Sequence, residues 1–145
     1  MSLARLLESL HGAIGVLATA ALVHPALLLR RGKPLTPRSR WAVALAGLLA
    51  ALAWSAGAFI YGDYRRLVKR TLFQKSVGAG LAFETKEHVA VTVACLAIGA
   101  LVAALVAPRE SRELRRAAAL SFGLAAGLSG LVVGLGWYVT AVHGF

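Results

Sequence analysis

Two acidic residues and two histidines stand at spacings that place each pair on one face of a helix. Glu8 and His11 are three residues apart, and Glu84 and His88 are four residues apart. A Glu-x-x-His pair that projects into a helix bundle is a known way to present metal ligands. A ligating histidine also commonly needs a carboxylate to hold its other ring nitrogen. These spacings therefore predict a site for a metal or for a cofactor that carries one.

The composition places this site in a membrane protein. Hydrophobic residues make up 59% of the 145-residue chain and charged residues only 15%, whereas a soluble domain has about a quarter charged residues. Four apolar runs cover residues 10–29, 41–62, 88–107 and 117–142, and each is near the ~20 residues that cross a bilayer. Backbone polar groups in lipid must be satisfied within the segment, so helices are expected. The chain is predicted to be a single all-α domain, an up-and-down bundle of four transmembrane helices.

An even number of spans puts both termini on one side, here named side one. Side one also carries the long loop 63–87, and side two carries the short loops 30–40 and 108–116. Nine of the 16 lysine and arginine residues fall on side two, which predicts that side two is cytoplasmic and that the termini are non-cytoplasmic. The composition suits a bacterial inner membrane. Because the net charge of +10 resides in these loops, nucleic acid is not an expected partner.

The long loop contains a second amphipathic segment. Between Tyr64 and Gly78, apolar residues alternate with basic ones in a pattern typical of a helix lying in the membrane interface. Gly78 and Gly80 are expected to end it. The apolar residues are Leu67, Val68, Leu72, Phe73 and Val77, and the basic ones are Arg65, Arg66, Lys69, Arg70 and Lys75.

Glycine pairs recur in the fourth span. Gly123 with Gly127 and Gly130 with Gly134 are each four residues apart. Small residues at this spacing let helix backbones approach closely in lipid, so we expect tight packing on this face.

The ionisable residues of the spans gather at side one. Three of the four histidines, His11, His88 and His143, lie at that end, together with the acids Glu8, Asp63, Glu84 and Glu87. Ionisable groups at helix ends that face a bundle interior are often functional. His24 stands thirteen residues after His11, about 20 Å further along the helix, with no second histidine at its level.

A single b-type haem at side one is the cofactor that this pattern favours. His11 and His88 would be its axial ligands if spans one and three lie diagonally in the bundle, and His143 is the substitute for either. Gly15 lies one turn below His11 and leaves room for a ring. In overall design the bundle resembles the small four-helix membrane b-type cytochromes. That resemblance implies electron transfer or redox sensing, and the lone His24 makes a second haem unexpected.

Two other interpretations remain open. In the first, Glu8, Glu84 and Glu87 are themselves ligands beside the histidines, in a site for iron, copper or zinc. In the second, the chain is a non-catalytic structural or assembly subunit of a larger membrane complex. If haem is bound, Glu84 and Glu87 are expected to orient its ligands or carry protons. The expected surroundings are the lipid bilayer and either a quinone or a larger respiratory-type complex.

Overall fold

The computed structural model describes residues 3–143, with the side chains at 3–5, 63, 67 and 143 outside that description. Five α-helices follow one another: α1 (Leu3–Leu29), α2 (Pro37–Tyr64), α3 (Arg70–Lys75), α4 (Val77–Val106) and α5 (Arg112–His143). A π-helical turn, Arg65–Lys69, joins α2 to α3. Helices α1, α2, α4 and α5 are each long and apolar enough to cross a membrane. The all-helical fold and the four spans predicted from the sequence are confirmed.

Side-chain caps set the starts of the second and third long helices. Thr36 accepts a hydrogen bond from the Ser39 amide at 3.2 Å, one residue before Pro37 opens α2. Ser76, in extended conformation, accepts from the Ala79 amide at 3.3 Å and begins α4. Such caps satisfy backbone donors that the first turn of a helix leaves free. Helix α4 therefore begins at Val77, well before residue 88, the predicted start of the third span.

The break in the long loop lies at Ser76 rather than at the glycines predicted to form it. Gly78 and Gly80 belong to the first turns of α4. Gly80 has a packing role instead, because a β-carbon there would come within 2.6 Å of the Phe73 ring. A residue without a side chain is what allows α3 to fold back against α4.

The amphipathic segment is helical, but two of its apolar side chains do not face outward. Its first residue, Arg65, has right-handed helical geometry, so the chain leaves α2 without interruption. Val68 and Leu72 are buried in a cluster with Phe83 of α4 and Val139 of α5. This part of the segment packs on the bundle. The sequence pattern alone does not distinguish an apolar face that packs on the bundle from one that packs on lipid.

The four long helices form a ring of contacts in which α1 and α4 occupy opposite corners. Helix α1 packs against α2 and α5, and α4 packs against the same two helices. Between α2 and α4, Arg40 donates to the Leu105 carbonyl at 3.2 Å. The diagonal placement of spans one and three, on which the haem prediction depends, is therefore present.

Alanine-rich packing fills the side-two half of the ring. Eleven buried residues form one core there: Leu22, Leu29, Val43, Ala50, Ala97, Ala100, Ala104, Ala118, Ala119, Phe122 and Ala125. Small side chains allow the close helix approach that drives association in lipid. A second, smaller core lies at side one around Leu72 and Phe83. The stretch of the bundle between the two cores is hollow.

The glycines of α5 pack less closely than expected. A β-carbon at Gly127 or Gly134 would meet no atom within 4 Å. At Gly123 and Gly130 it would lie 3.9 Å from Ala26 and 4.0 Å from Thr19, which are ordinary contact distances. The tight packing predicted for this face is therefore not seen at these four glycines.

Buried Arg115 joins the two short loops of side two. Its Nε donates to the Gly32 carbonyl at 3.0 Å, while its two terminal nitrogens donate to Pro108 at 2.6 Å and Arg109 at 2.8 Å. These carbonyls follow the C-terminal ends of α1 and α4, where the helix dipoles favour a cation. The guanidinium thus fixes the closed end of the bundle below the hollow.

Candidate functional site

The hollow is a cavity of about 530 Å³, lined by α1, α2, α4 and α5. This volume is in the range of small-molecule and cofactor sites. Most of its wall is apolar or glycine, including Gly12, Gly15, Gly57 and Gly136. The polar residues of the wall concentrate toward side one: Glu8, His11, Tyr61, Tyr64, Lys86, Glu87, His88 and Thr140.

His11 enters the cavity from α1 and rests on α2. A β-carbon at Gly57 would lie 2.8 Å from His11 Cε1, so only glycine admits the ring at this place. The ring also approaches the backbone of Ala53, one turn earlier on α2. Its Nδ1 is buried and has no hydrogen-bond partner among the residues that the structure describes. A buried nitrogen without a partner costs free energy, and a ligand in the cavity would remove that cost.

His88 stands on α4, at the opposite corner of the ring, and borders the same cavity. Its Nδ1–H donates to the Glu84 carbonyl at 2.8 Å, one turn back on its own helix. A histidine whose Nδ1 is held by a backbone carbonyl presents Nε2 as the free ligand atom. The ring is exposed, unlike that of His11, so His88 lies at the rim of the cavity.

Two tyrosines of α2 lie near the carboxylates of the cavity. The Tyr61 hydroxyl donates to Glu87 Oε2 at 3.3 Å, while Glu87 Oε1 is buried and has no partner within the part of the chain that the structure describes. Burial and the nearby carboxylate of Glu8 raise the pKa of Tyr64 above its usual range. Tyr64 therefore stays neutral, and Tyr61 holds the Glu87 carboxylate in place.

Lys86 introduces a cation into the same wall. Its Nζ lies 5.2 Å from the centre of the Phe83 ring and 5.7 Å from that of Tyr64. These two rings stack with their centres 5.5 Å apart. Glu87, the next residue on α4, and Glu8 of α1 attract the ammonium electrostatically. Cation–π contact and the two acids together hold Lys86 at the end of the cavity nearest side one.

A hydroxyl chain forms the deep end of the cavity. The Thr19 hydroxyl donates to the Gly15 carbonyl at 2.8 Å and lies 2.7 Å from the Ser129 hydroxyl. Thr19 has one hydroxyl hydrogen, so Ser129 must be the donor in the second bond. Ser129 lines the cavity and can then offer it only acceptor lone pairs. The hydrogen bond between Thr19 and Ser129 joins α1 to α5 below the histidines.

The structure brings together four of the six residues predicted for the site. Glu8, His11, Glu87 and His88 border the one cavity. Glu84 is apart from them, because its carboxylate pairs with Lys69 at 2.7 Å. The side chain of His143 lies outside the described residues. Among those described, no group of three histidine, cysteine or acidic side chains is placed to hold a metal ion.

Four further residues of the site do not follow from the sequence patterns. Lys86 falls in the loop 63–87 of the sequence, and Tyr61 and Tyr64 fit the aromatic belt that membrane interfaces favour. Phe83 and Lys86 are three residues apart, a spacing that would have placed them on one helix face. No sequence pattern indicates the role of Gly57, since that role depends on the His11 ring from another helix.

Comparison of the chain with protein-family models, with curated proteins and with solved structures found no match in any of the three. The site offers one half-buried imidazole, one imidazole at the rim, apolar walls with glycines, and a polar end at side one. A largely apolar small molecule can occupy such a cavity, and the imidazoles can offer it nitrogen donors.

Proposed function

We propose that this chain is a small membrane redox protein that binds one b-type haem in the cavity near side one. The observation that carries the proposal is His11, whose ring lines a cavity of about 530 Å³ and whose Nδ1 is buried with no hydrogen-bond partner among the described residues. His88, on the opposite helix, has its own Nδ1 engaged by a backbone carbonyl. His11 and His88 would be the axial ligands, with His143 as the substitute for either.

A bound haem would supply reversible one-electron chemistry, and the chain would supply its environment. Gly12, Gly15, Gly57 and Gly136 leave room along the walls. Tyr61 orients Glu87 at the polar end, where Glu8 lies near Tyr64. The Glu84 carboxylate takes no part in this assignment, because it is paired with Lys69 outside the cavity, whereas the Glu84 carbonyl holds His88 Nδ1.

The surroundings of the protein form part of the proposal. The four long helices would run up and down across a bacterial inner membrane, with both termini at the non-cytoplasmic side. The helical segment Arg65–Lys75 would lie at the membrane surface, with its basic side chains toward water. A quinone within the bilayer, or a larger respiratory-type complex, would exchange electrons with the site. A reporter fused after Phe145 that is active only in the cytoplasm would refute the orientation.

The test is to count cofactors in the purified protein, expressed in cells supplied with a haem precursor. We expect one non-covalent haem per chain after extraction and no stoichiometric metal beyond its iron. Stoichiometric iron, copper or zinc without porphyrin would instead support the site of histidines and carboxylates. Neither haem nor metal would refute cofactor binding and leave a structural or assembly subunit.

A further inference from the structure

The helical segment after α2 has a basic face that lies outside the core of the bundle. Arg65, Lys69 and Arg70 border an open groove of about 580 Å³, together with Phe73 and Gln74. Arg65 and Lys69 belong to the π-helical turn Arg65–Lys69. Single π-helical turns are frequent at functional sites in proteins. We name these five residues the basic groove.

The charge of the basic groove is only partly balanced. Glu84 pairs with Lys69 at 2.7 Å. This hydrogen bond raises the pKa of Lys69, so the lysine stays protonated at neutral pH. Arg65 and Arg70 are exposed. The groove therefore keeps a net positive charge and would attract an acidic surface.

Two apolar residues of this segment pack on the bundle instead of facing lipid. An interfacial helix is held by an apolar face that enters the acyl chains. Here Leu72 is fully buried and Val68 is 7% exposed, both against the bundle. Phe73 is partly buried and lines the groove beside Arg65, Lys69 and Arg70. Protein interfaces often have this arrangement, with an apolar centre and a polar rim.

The basic groove adjoins the cavity. Tyr64, the residue before Arg65, lines the cavity, and Glu84, the partner of Lys69, precedes Lys86 and Glu87 by two and three residues. A protein bound in the groove would therefore lie beside the polar end of the haem site. Long-range electrostatic attraction would speed its approach and fix its orientation.

We infer that the basic groove docks a soluble protein with an acidic surface, at side one beside the mouth of the cavity. This inference rests on the proposed function in one respect, since that function would make the partner an electron donor or acceptor. Docking itself depends on charge and shape and does not require the cofactor to be present.

The experiment measures binding to the full-length protein in nanodiscs of zwitterionic phosphatidylcholine. The probe is succinylated cytochrome c, which is acidic, and unmodified cytochrome c, which is basic, is its control. We expect the acidic probe to bind with a Kd that rises with salt. Arg65→Glu with Arg70→Glu should weaken this binding by about tenfold or more, as charge reversal at an electrostatic interface does.

A matched variant separates docking from net charge. Arg31→Glu with Arg38→Glu reverses two exposed arginines at side two and changes the total charge equally. Binding within about twofold of wild type is expected for this control. Equal losses in both double variants, or no loss in the first, would overturn the inference. Arg65→Gln with Arg70→Gln, which is milder, replaces the first variant if charge reversal disturbs folding.

Lipid headgroups are the competing occupant, and native mass spectrometry tests for them. If the wild type retains phosphatidylglycerol and the Arg65→Glu with Arg70→Glu variant does not, the groove is a lipid site and the inference fails. Because the binding assay has no haem requirement, a preparation without haem that still docks the probe would refute only the proposed function. A preparation with haem that does not dock would refute only the docking.

Discussion

The His11 ring lies against the backbone of Gly57, so closely that a β-carbon at residue 57 would approach His11 Cε1 to 2.8 Å. Gly57→Ala should therefore displace the ring. We expect haem content to fall by at least about half and the free energy of unfolding to drop by about 1–3 kcal/mol, the usual cost of overpacking. Haem per chain and SDS-induced unfolding measure the two effects.

Gly62→Ala is the control on the same helix, because a β-carbon there meets no atom within 4 Å. Alanine is a better helix former than glycine by about 1 kcal/mol, so this variant should be as stable as wild type or more so. If Gly57→Ala behaves like Gly62→Ala in both measurements, the assigned contact between His11 and Gly57 is wrong.

The hydroxyl pair at the deep end of the cavity should contribute a measurable coupling between α1 and α5. Thr19 and Ser129 are 2.7 Å apart. Interhelical hydrogen bonds in membranes contribute about 0.6 kcal/mol on average. A double-mutant cycle with Thr19→Val and Ser129→Ala should give a coupling energy of about 0.5–1.5 kcal/mol in unfolding experiments. Strictly additive effects would mean that the two hydroxyls do not interact.

Arg115 should be the most sensitive residue of side two. It is 2% exposed and donates to three loop carbonyls. Arg115→Ala leaves those acceptors without their donor, and we expect a loss of about 3 kcal/mol or more in unfolding free energy. The neighbouring Arg116 is exposed, so Arg116→Ala should change stability by less than about 0.5 kcal/mol. Equal small effects in the two variants would contradict the role of Arg115.

Alkaline pH should remove the contribution of the ion pair between Lys69 and Glu84. The hydrogen bond to Glu84 raises the pKa of Lys69 in the folded protein. A raised pKa stabilises the fold fully below the unfolded-state pKa, and the effect is lost as pH rises through the folded-state pKa. The stability difference between wild type and Lys69→Gln should therefore be constant at neutral pH and vanish at strongly alkaline pH. A difference that grows with pH would contradict the pairing.

The spans and the gathering of polar residues at side one could be predicted from sequence because they depend on local pattern. Long apolar runs have few alternatives to a membrane helix. The spacing of Glu8 with His11 is likewise a property of one helix. The structure places both residues at the cavity, together with Glu87 and His88.

Features that depend on two helices could not be predicted. Glu84, four residues before His88, also fits a one-face helical spacing, yet its carboxylate pairs with Lys69 of the preceding helical segment and does not border the cavity. Val68 and Leu72 have an amphipathic pattern that suits lipid and bundle equally, and only tertiary packing decides between them. The sequence around Gly80 predicts a helix break, whereas in the structure Gly80 leaves room for the Phe73 ring.

His24 is the control residue for the proposed axial ligands, because its side chain is exposed. His24 lies on α1, as His11 does, but it is exposed and does not line the cavity. Alanine substitution of His24 should therefore leave cofactor content nearly unchanged. His11→Ala and His88→Ala should each abolish or halve it, since each removes a proposed axial ligand.

The reduced-minus-oxidised difference spectrum of the purified protein tests the central claim most directly, recorded for wild type and these three variants. We predict the sharp α band of a six-coordinate b-type haem in wild type and in His24→Ala, and its loss or strong reduction in His11→Ala and His88→Ala. A wild-type spectrum without haem absorption would contradict the account. So would a His24→Ala protein that loses the band while His11→Ala keeps it.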